Sequence, residues 1–225
     1  MSEAETLRVM PREMRMMSER ILSLTALPKG FALMASDVVM YSEAMGLGGF
    51  ALLLERLEAL ETADPSRIAL DGTRLDASGQ HAWVAIPSLI DLLGLAAARD
   101  GTARIEVANA AASNELRIAE GLGAREGLAV TVERTIVTAT PGGGGDRILD
   151  RVMRDGCAMP AELWWRVYDL AQTALTPDSV VSRRHAGPVI VTEDGKVIGR
   201  KDNDDDTDVS FIGSVEKRKT QGKTA

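Results

Sequence analysis

Apolar positions in the first sixty residues recur at helical spacing. Met14, Met17, Ile21 and Leu24 follow Pro11, a residue tolerated in the first turn of a helix, and residues 1–10 read as a loose arm. The stretch "LPKG" at 27–30 breaks the period, and a second helix is expected from about Phe31 to Met45 with Leu33, Met34, Val38 and Tyr41 on one side. "GLGG" at 46–49 stops it, as glycine does past a helix end, and "FALLLERLEALE" forms a third helix. After "TADPS" the pattern changes. "RIAL", "TRLDA" and "HAWVAI" (81–86) read as strands, and Ser88 with Asp91 reads as a capping box opening the helix "LIDLLGLAAAR". "ARIEVA" (103–108) is the next strand, Ser113 caps "NELRIAEGLG", and "LAVTVERTIVTA" (128–139) reads as one long strand.

That alternation predicts an α/β fold: an N-terminal helical subdomain over 1–62, then an α/β domain over 63–212 holding a small, mostly parallel sheet flanked by helices. Two helices, "DRILDRVMR" and "PAELWWRVYDLAQTAL", follow the flexible "PGGGGD"; a C-terminal hairpin "VIVTEDGKVIG" comes next, and 213–225 is a polar tail.

Composition narrows the function classes. Apolar residues make up 45% of the 225, enough to bury a core, while aromatics are 4%, so that core is aliphatic and methionine-rich. A net charge of -7 disfavours nucleic acid and anionic membrane surfaces. No secretory leader is read in "MSEAETLRVMPREMRMMSER", and no apolar run approaches the roughly 20 residues of a membrane helix, so a cytoplasmic protein is expected. One cysteine and two histidines build neither a disulfide framework nor a cysteine- or histidine-rich metal centre, so no metal site is expected. Met10, Met14, Met17, Met34 and Met40 give the helical region an adaptable apolar face, from which a homodimer is expected.

Few segments carry chemistry. "GGGGDRILD" puts Asp146 where a phosphate loop needs a lysine followed by serine or threonine, so the glycines read as a connector. Cys157, in "DGCAMP", reads as a small buried residue, and His81 as a structural one. The acidic run 202–208 fails the calcium-loop spacing: with Asp202 first, Thr207 and Gly213 stand where glycine and glutamate belong, which leaves a solvated turn. The richest segment is "VSRRHAGPVIV", where Ser182, Arg183 and His185 place three kinds of polar group within one turn ahead of Gly187 and Pro188.

Two resemblances attach to these residues. Pro177, Ser179, Ser182, Arg183, Gly187 and the closing Asp202, Asn203 and Asp204 resemble the C-terminal pattern of a proteobacterial domain-of-unknown-function family, which the segment "GLGGFALLLERL" also fits. This chain departs from it in "HAGPVIVTEDGKVIG", which adds a histidine and a hairpin. The order of three helices followed by "LIDLLGLAAARDGTARIEVANAAASNELRIAEGLGAREGLAVTV" is similar to the type-2 malate and L-lactate dehydrogenases. Asn109 matches that family's asparagine, but Ala112 and the step Leu47-Gly48-Gly49 stand where its histidines belong. The resemblance implies architecture without that hydride-transfer chemistry.

Ligands of open α/β sheets bind outside the carboxyl ends of the strands, which places Asn109, Ser113 and Asn114 at the expected opening. Ser113 and Asn114 also open a helix, whose free N–H groups favour an anion. Arg183 is then the expected clamp for a carboxylate or phosphate, with Ser182 beside it and His185 the expected acid or base. The function expected is an enzyme or enzyme subunit acting on a small anionic metabolite; the alternative is a non-catalytic small-molecule-binding or accessory subunit. No cofactor is expected, since the dinucleotide glycine fingerprint is missing from both strand-to-helix turns. Calorimetric titration with NAD or NADP should accordingly show no binding at sub-millimolar concentration, and a micromolar dissociation constant would overturn this.

Overall fold

The helical period of the first sixty residues becomes three helices: α1 (Pro11–Leu22), α2 (Lys29–Ala44) and α3 (Gly49–Glu61). The structure is a computed structural model that describes residues 5–142 and 144–175 and, beyond them, the strands Val189–Val191 and Val197–Gly199. Contacts divide the chain into two units, Met1–Leu175 and Thr176–Ala225.

In the first unit Pro11 opens α1, and the Glu13 carboxylate accepts the Met10 N–H at 3.0 Å, satisfying one of the free donors of a helix start. Met14, Met17 and Ile21 are buried as the period requires, whereas Leu24 lies past the helix end and is exposed. α2 differs from expectation. Val38 and Tyr41 are buried, but Leu33 and Met34 face outward, and the buried set is Ala32, Ala35, Ser36 and most of Asp37–Ala44. The reason is position: α2 packs against α1, α3 and three later helices, so its second half is enclosed nearly all round. The arm is also more than an arm. Strand β1 (Thr6–Val9) pairs antiparallel with β7 (Cys157–Pro160), Thr6 opposite Pro160 and Val9 opposite Cys157. A partner some 150 residues away leaves no local trace.

The main sheet runs β2 (Ala69–Asp71), β3 (Arg74–Asp76), β4 (Ala103–Ala108), β6 (Ile136–Pro141), β5 (Leu128–Glu133). The α/β class holds, but the sheet is mixed rather than mostly parallel: β3 and β4 pair parallel, and the other three pairings are antiparallel. Two expectations fail here for physical reasons. "LAVTVERTIVTA" is a hairpin of β5 and β6 turning at Arg134–Thr135, with Arg134 at φ 59°, and an Arg-Thr turn lacks the Asn-Gly or Asp-Gly signal. "HAWVAI" is not a strand but the start of α4 (Ala82–Asp100), which runs through Pro87. A short apolar run fits a buried strand or a buried helix equally, and the first half of α4 is buried on all sides. α4 is also long and apolar enough, by length and composition, to cross a membrane; here half of that window lies in the core.

α4 and α5 (Ile118–Arg125) pack on one face of the sheet. Along β4 the inward Ala103, Ile105 and Val107 alternate with exposed Arg104 and Glu106. Asp146 caps α6 (Arg147–Asp155), its carboxylate accepting the Leu149 N–H at 2.8 Å. Pro160 leads into α7 (Ala161–Gln172). Trp164 is buried edge-on to Phe50 with ring centroids 5.8 Å apart, and its neighbour Trp165 is exposed, as adjacent helix positions dictate. In the second unit β8 (Val189–Val191) and β9 (Val197–Gly199) form the expected antiparallel hairpin.

Gly121 on α5 sets how close that helix comes to α2 and α6. A Cβ there would lie 2.8 Å from Met45 Sδ and 2.9 Å from the Tyr41 ring. Gly121→Ala should therefore destabilise the protein by about 1–3 kcal/mol through overpacking. Gly94→Ala, where the nearest atom is Leu128 Cδ1 at 3.9 Å, should be neutral or stabilising by up to about 1 kcal/mol from helix propensity. Urea unfolding of the two variants checks the pair; equal effects would show that the close approach is not limiting.

Candidate functional site

The carboxyl end of the parallel pair β3–β4 is tightly knitted. Asn109 sits just past β4 at φ 54° and donates from its side-chain amide to Asp76 Oδ1 at 2.9 Å, and the Ser78 N–H donates to the same oxygen at 2.8 Å. Ser78 (φ 51°) and Ala112 (φ 52°) are left-handed as well, so three non-glycine residues in the two adjoining loops hold a costly backbone conformation. Ser113 and Asn114 begin a 3-10 turn, Ser113–Arg117, that precedes α5; the Ser113 side chain caps nothing, and Asn114 is exposed. Asn109, Ser113 and Asn114 thus share one loop. Ser182, Arg183 and His185 lie outside the described residues.

Behind that loop a polar knot is buried. His81 caps α4 through Nδ1, which accepts the Trp83 N–H at 3.3 Å, so the ring proton belongs on Nε2. Nε2 faces Glu115 Oε2 at 3.8 Å, with both residues 5% exposed, and neither atom nor the Trp83 indole nitrogen has a hydrogen-bond partner among the described residues. Burial, and then the Arg56 charge, push the His81 pKa down to about 4; burial raises that of Glu115, with Arg56 and Trp83 offsetting part of the rise. His81 is therefore neutral at physiological pH and caps α4, a structural role, while the backbone beside it joins the two loops, Ala82 N–H donating to the Ala111 carbonyl at 2.9 Å.

Charged residues on the helices border two clefts. Asp37 projects from α2 and is 8% exposed. Its Oδ2 accepts from Arg125 Nη1 of α5 at 2.5 Å, and its Oδ1 lies 2.7 Å from Arg15 Nε of α1, an ion pair without hydrogen-bond alignment. One turn on, Tyr41 donates its hydroxyl proton to Asp146, the cap of α6. Burial first, then the Asp146 carboxylate, drive the Tyr41 phenol far above its ordinary 10.0, so it stays protonated as a donor. Asp37 and Arg125 stand between two clefts. One, of about 170 Å³, reaches Pro87 and Asp91 on α4; the other, of about 650 Å³, adds Arg12, Arg15 and Glu19 of α1 with Leu149 and Met153 of α6. The larger cleft carries three arginines against two carboxylates. Arg12 has no ion-pair partner among the described residues.

A third cleft, of about 340 Å³, holds Cys157 with Glu43, Asp155, Arg8 and Arg151. Burial, and then Glu43, raise the thiol's pKa, so Cys157 is no thiolate at neutral pH. Burial also raises Glu43, offset in part by the Phe50 N–H that its carboxylate accepts at 3.0 Å. Sequence reasoning missed Arg15, Asp37, Arg125 and the Tyr41–Asp146 contact. The available signal was Asp37 itself, an acid within the otherwise apolar "FALMASDVVMY".

His81 makes the fold pH-sensitive. A histidine with a depressed folded pKa binds fewer protons folded than unfolded between about 4 and its ordinary 6.5. Its contribution is complete above 6.5, is lost as pH falls toward 4, and amounts to on the order of 3 kcal/mol. Glu115, with a raised pKa, acts in the opposite sense, losing stability as pH rises through its folded value. His81→Asn keeps an N-cap acceptor, so it should flatten the acid-side loss while folding normally. Urea midpoints from pH 4 to 7.5 measure this, and an identical slope in both proteins would refute it.

No protein-family model and no curated protein matches the chain. Among solved structures it has a weak likeness to malate dehydrogenases. The enzyme from Entamoeba histolytica is 16% identical at a TM-score of 0.41, over 56% of this chain and 38% of that one. The enzyme from Pyrococcus horikoshii OT3 is likewise 16% identical at 0.41, over 57% and 40%. The chain therefore spans about two fifths of the length of the enzymes it matches.

Proposed function

We propose that the protein binds a small anionic metabolite, a carboxylate or a phosphate, in the cleft between α1, α2, α5 and α6, and that it does so as a non-catalytic binding or accessory subunit. The observation that carries this reading is the local excess of arginine in a chain of net charge -7: Arg12, Arg15 and Arg125 line one cleft, and Asp37 and Glu19 offset two of the three charges. Asp37 also fixes two of the guanidinium groups in place, so less side-chain freedom is lost when an anion arrives. The non-catalytic half of the reading is supported by the titrating groups. General acids and bases work best with a pKa near the working pH, and Tyr41, which adjoins the cleft, is moved away from neutrality. His81 and Cys157 are moved away from it too.

One observation favours a catalytic second reading. Glu43 lines the cleft beside Cys157, and burial moves its carboxyl toward neutrality, the direction in which general acids are tuned. Loss of function in Glu43→Gln with unchanged ligand affinity would favour it over the binding reading.

Arg12 gives the decisive test, because it supports no ion pair within the described residues. In calorimetric titrations with hexanoate and with inorganic phosphate, at least one should bind in the micromolar to millimolar range. Arg12→Ala should weaken that binding about tenfold, the size of a charge-assisted hydrogen bond, while the unliganded stability stays within about 0.5 kcal/mol. If neither anion binds, or if the variant binds as the parent does, the cleft is not an anion site.

A further inference from the structure

The arginine cleft has a second property that the anion reading does not use. Met16, Met40, Leu149 and Met153 also line it. Met40 is buried at its base, whereas Met153 is 58% exposed, so apolar surface is left in contact with water beside three cations. A site for a compact polar anion such as phosphate gains nothing from such walls; polar neighbours would hydrate it better. Methionine is unbranched and polarizable, and it adapts to flexible apolar partners. A volume of about 650 Å³ lies within the usual span of small-molecule sites, ~300–1,000 Å³.

We infer that the ligand of this cleft is an amphipathic anion, a carboxylate carried on an unbranched alkyl chain, with the head on Arg12 and Arg15 and the chain against the methionines. The inference rests on the anion reading above and narrows its substrate class. Charge complementarity supplies the head group, and the apolar lining supplies the tail. The same lining explains why methionine stands at positions 16 and 153, on the exposed sides of α1 and α6, where a polar residue would serve an isolated helix better.

The test is a chain-length series on the whole protein: acetate, butyrate, hexanoate and octanoate, each titrated calorimetrically, with 1-hexanol as the uncharged control. Each added methylene should tighten binding about three- to fourfold until the cleft is filled. Hexanol should bind at least tenfold more weakly than hexanoate. Met153→Gln, at an exposed position, should weaken octanoate about tenfold while leaving acetate unchanged. Carboxylates that bind with no dependence on chain length would overturn the alkyl inference and leave the anion reading standing. Hexanol binding as tightly as hexanoate would overturn both. An absence of carboxylate binding would overturn the alkyl inference and leave the anion reading to the phosphate titration; a dimer that Met153→Gln dissociates in sedimentation would then show that the methionines cover a second copy of the chain.

Discussion

The Asp37 carboxylate is the constraint on which the helical half of the fold turns. It projects from the most enclosed helix, and a charge there must be compensated or the helix cannot pack where it does. Compensation arrives from two directions, Arg15 of α1 and Arg125 of α5. If either arginine shifts, the Asp37 charge is left with a single partner. One turn along the same face, Tyr41 and Asp146 join α6 to the cluster. Four helices thus meet at one buried polar line, and Gly121 lets α5 approach closely enough to close over Tyr41. Both arginine side chains are more than a third exposed, so solvent screens these pairs, and each contributes less than the ~3–5 kcal/mol at stake in a fully buried one. The registry of α1, α2, α5 and α6 thus has an electrostatic contribution beside that of the aliphatic core.

A second consequence concerns reactivity. Burial dominates each shifted group within the first unit that has chemical potential: it raises Tyr41, Cys157, Glu43 and Glu115 and lowers His81. Desolvation favours the neutral form in every case. Tyr41, His81 and Cys157 are thereby held neutral at physiological pH, and burial moves the Glu43 and Glu115 carboxyls in the same direction.

How much of this was legible depended on whether the signal was local. The helices of 11–61 could be read from period alone, as could α6 and α7, because each carries its own start and stop residues. The long helix α4 could not. "AWVAIP" is apolar without interruption, proline normally argues against a helix interior, and the cap before it is a histidine, a weak signal. The β5–β6 hairpin was hidden by its Arg-Thr turn, and that error, with the reading of "HAWVAI" as a strand, turned a mixed sheet into a mostly parallel one. Asn109 and Ser113 could be placed at the end of β4 from order alone, yet the left-handed φ at Asn109 and Ala112 leaves no compositional mark when alanine occupies the position. The arginine cleft was the least legible. Arg125 is more than a hundred residues from Arg12 and Arg15, and all three resemble ordinary solvated charges until helix packing brings them together.

The chain carries a net charge of -7, and the cleft lined by Arg12, Arg15 and Arg125 is a local exception to it. At physiological ionic strength charges are screened over about 8 Å, so an anion at a distance meets mainly the net negative field, and only within the cleft do Arg12, Arg15 and Arg125 outweigh it. For the anion proposed above, Met16, Met40, Leu149 and Met153 would stand beside the guanidinium groups, so that a charged head and an apolar chain would be met by neighbouring parts of one surface.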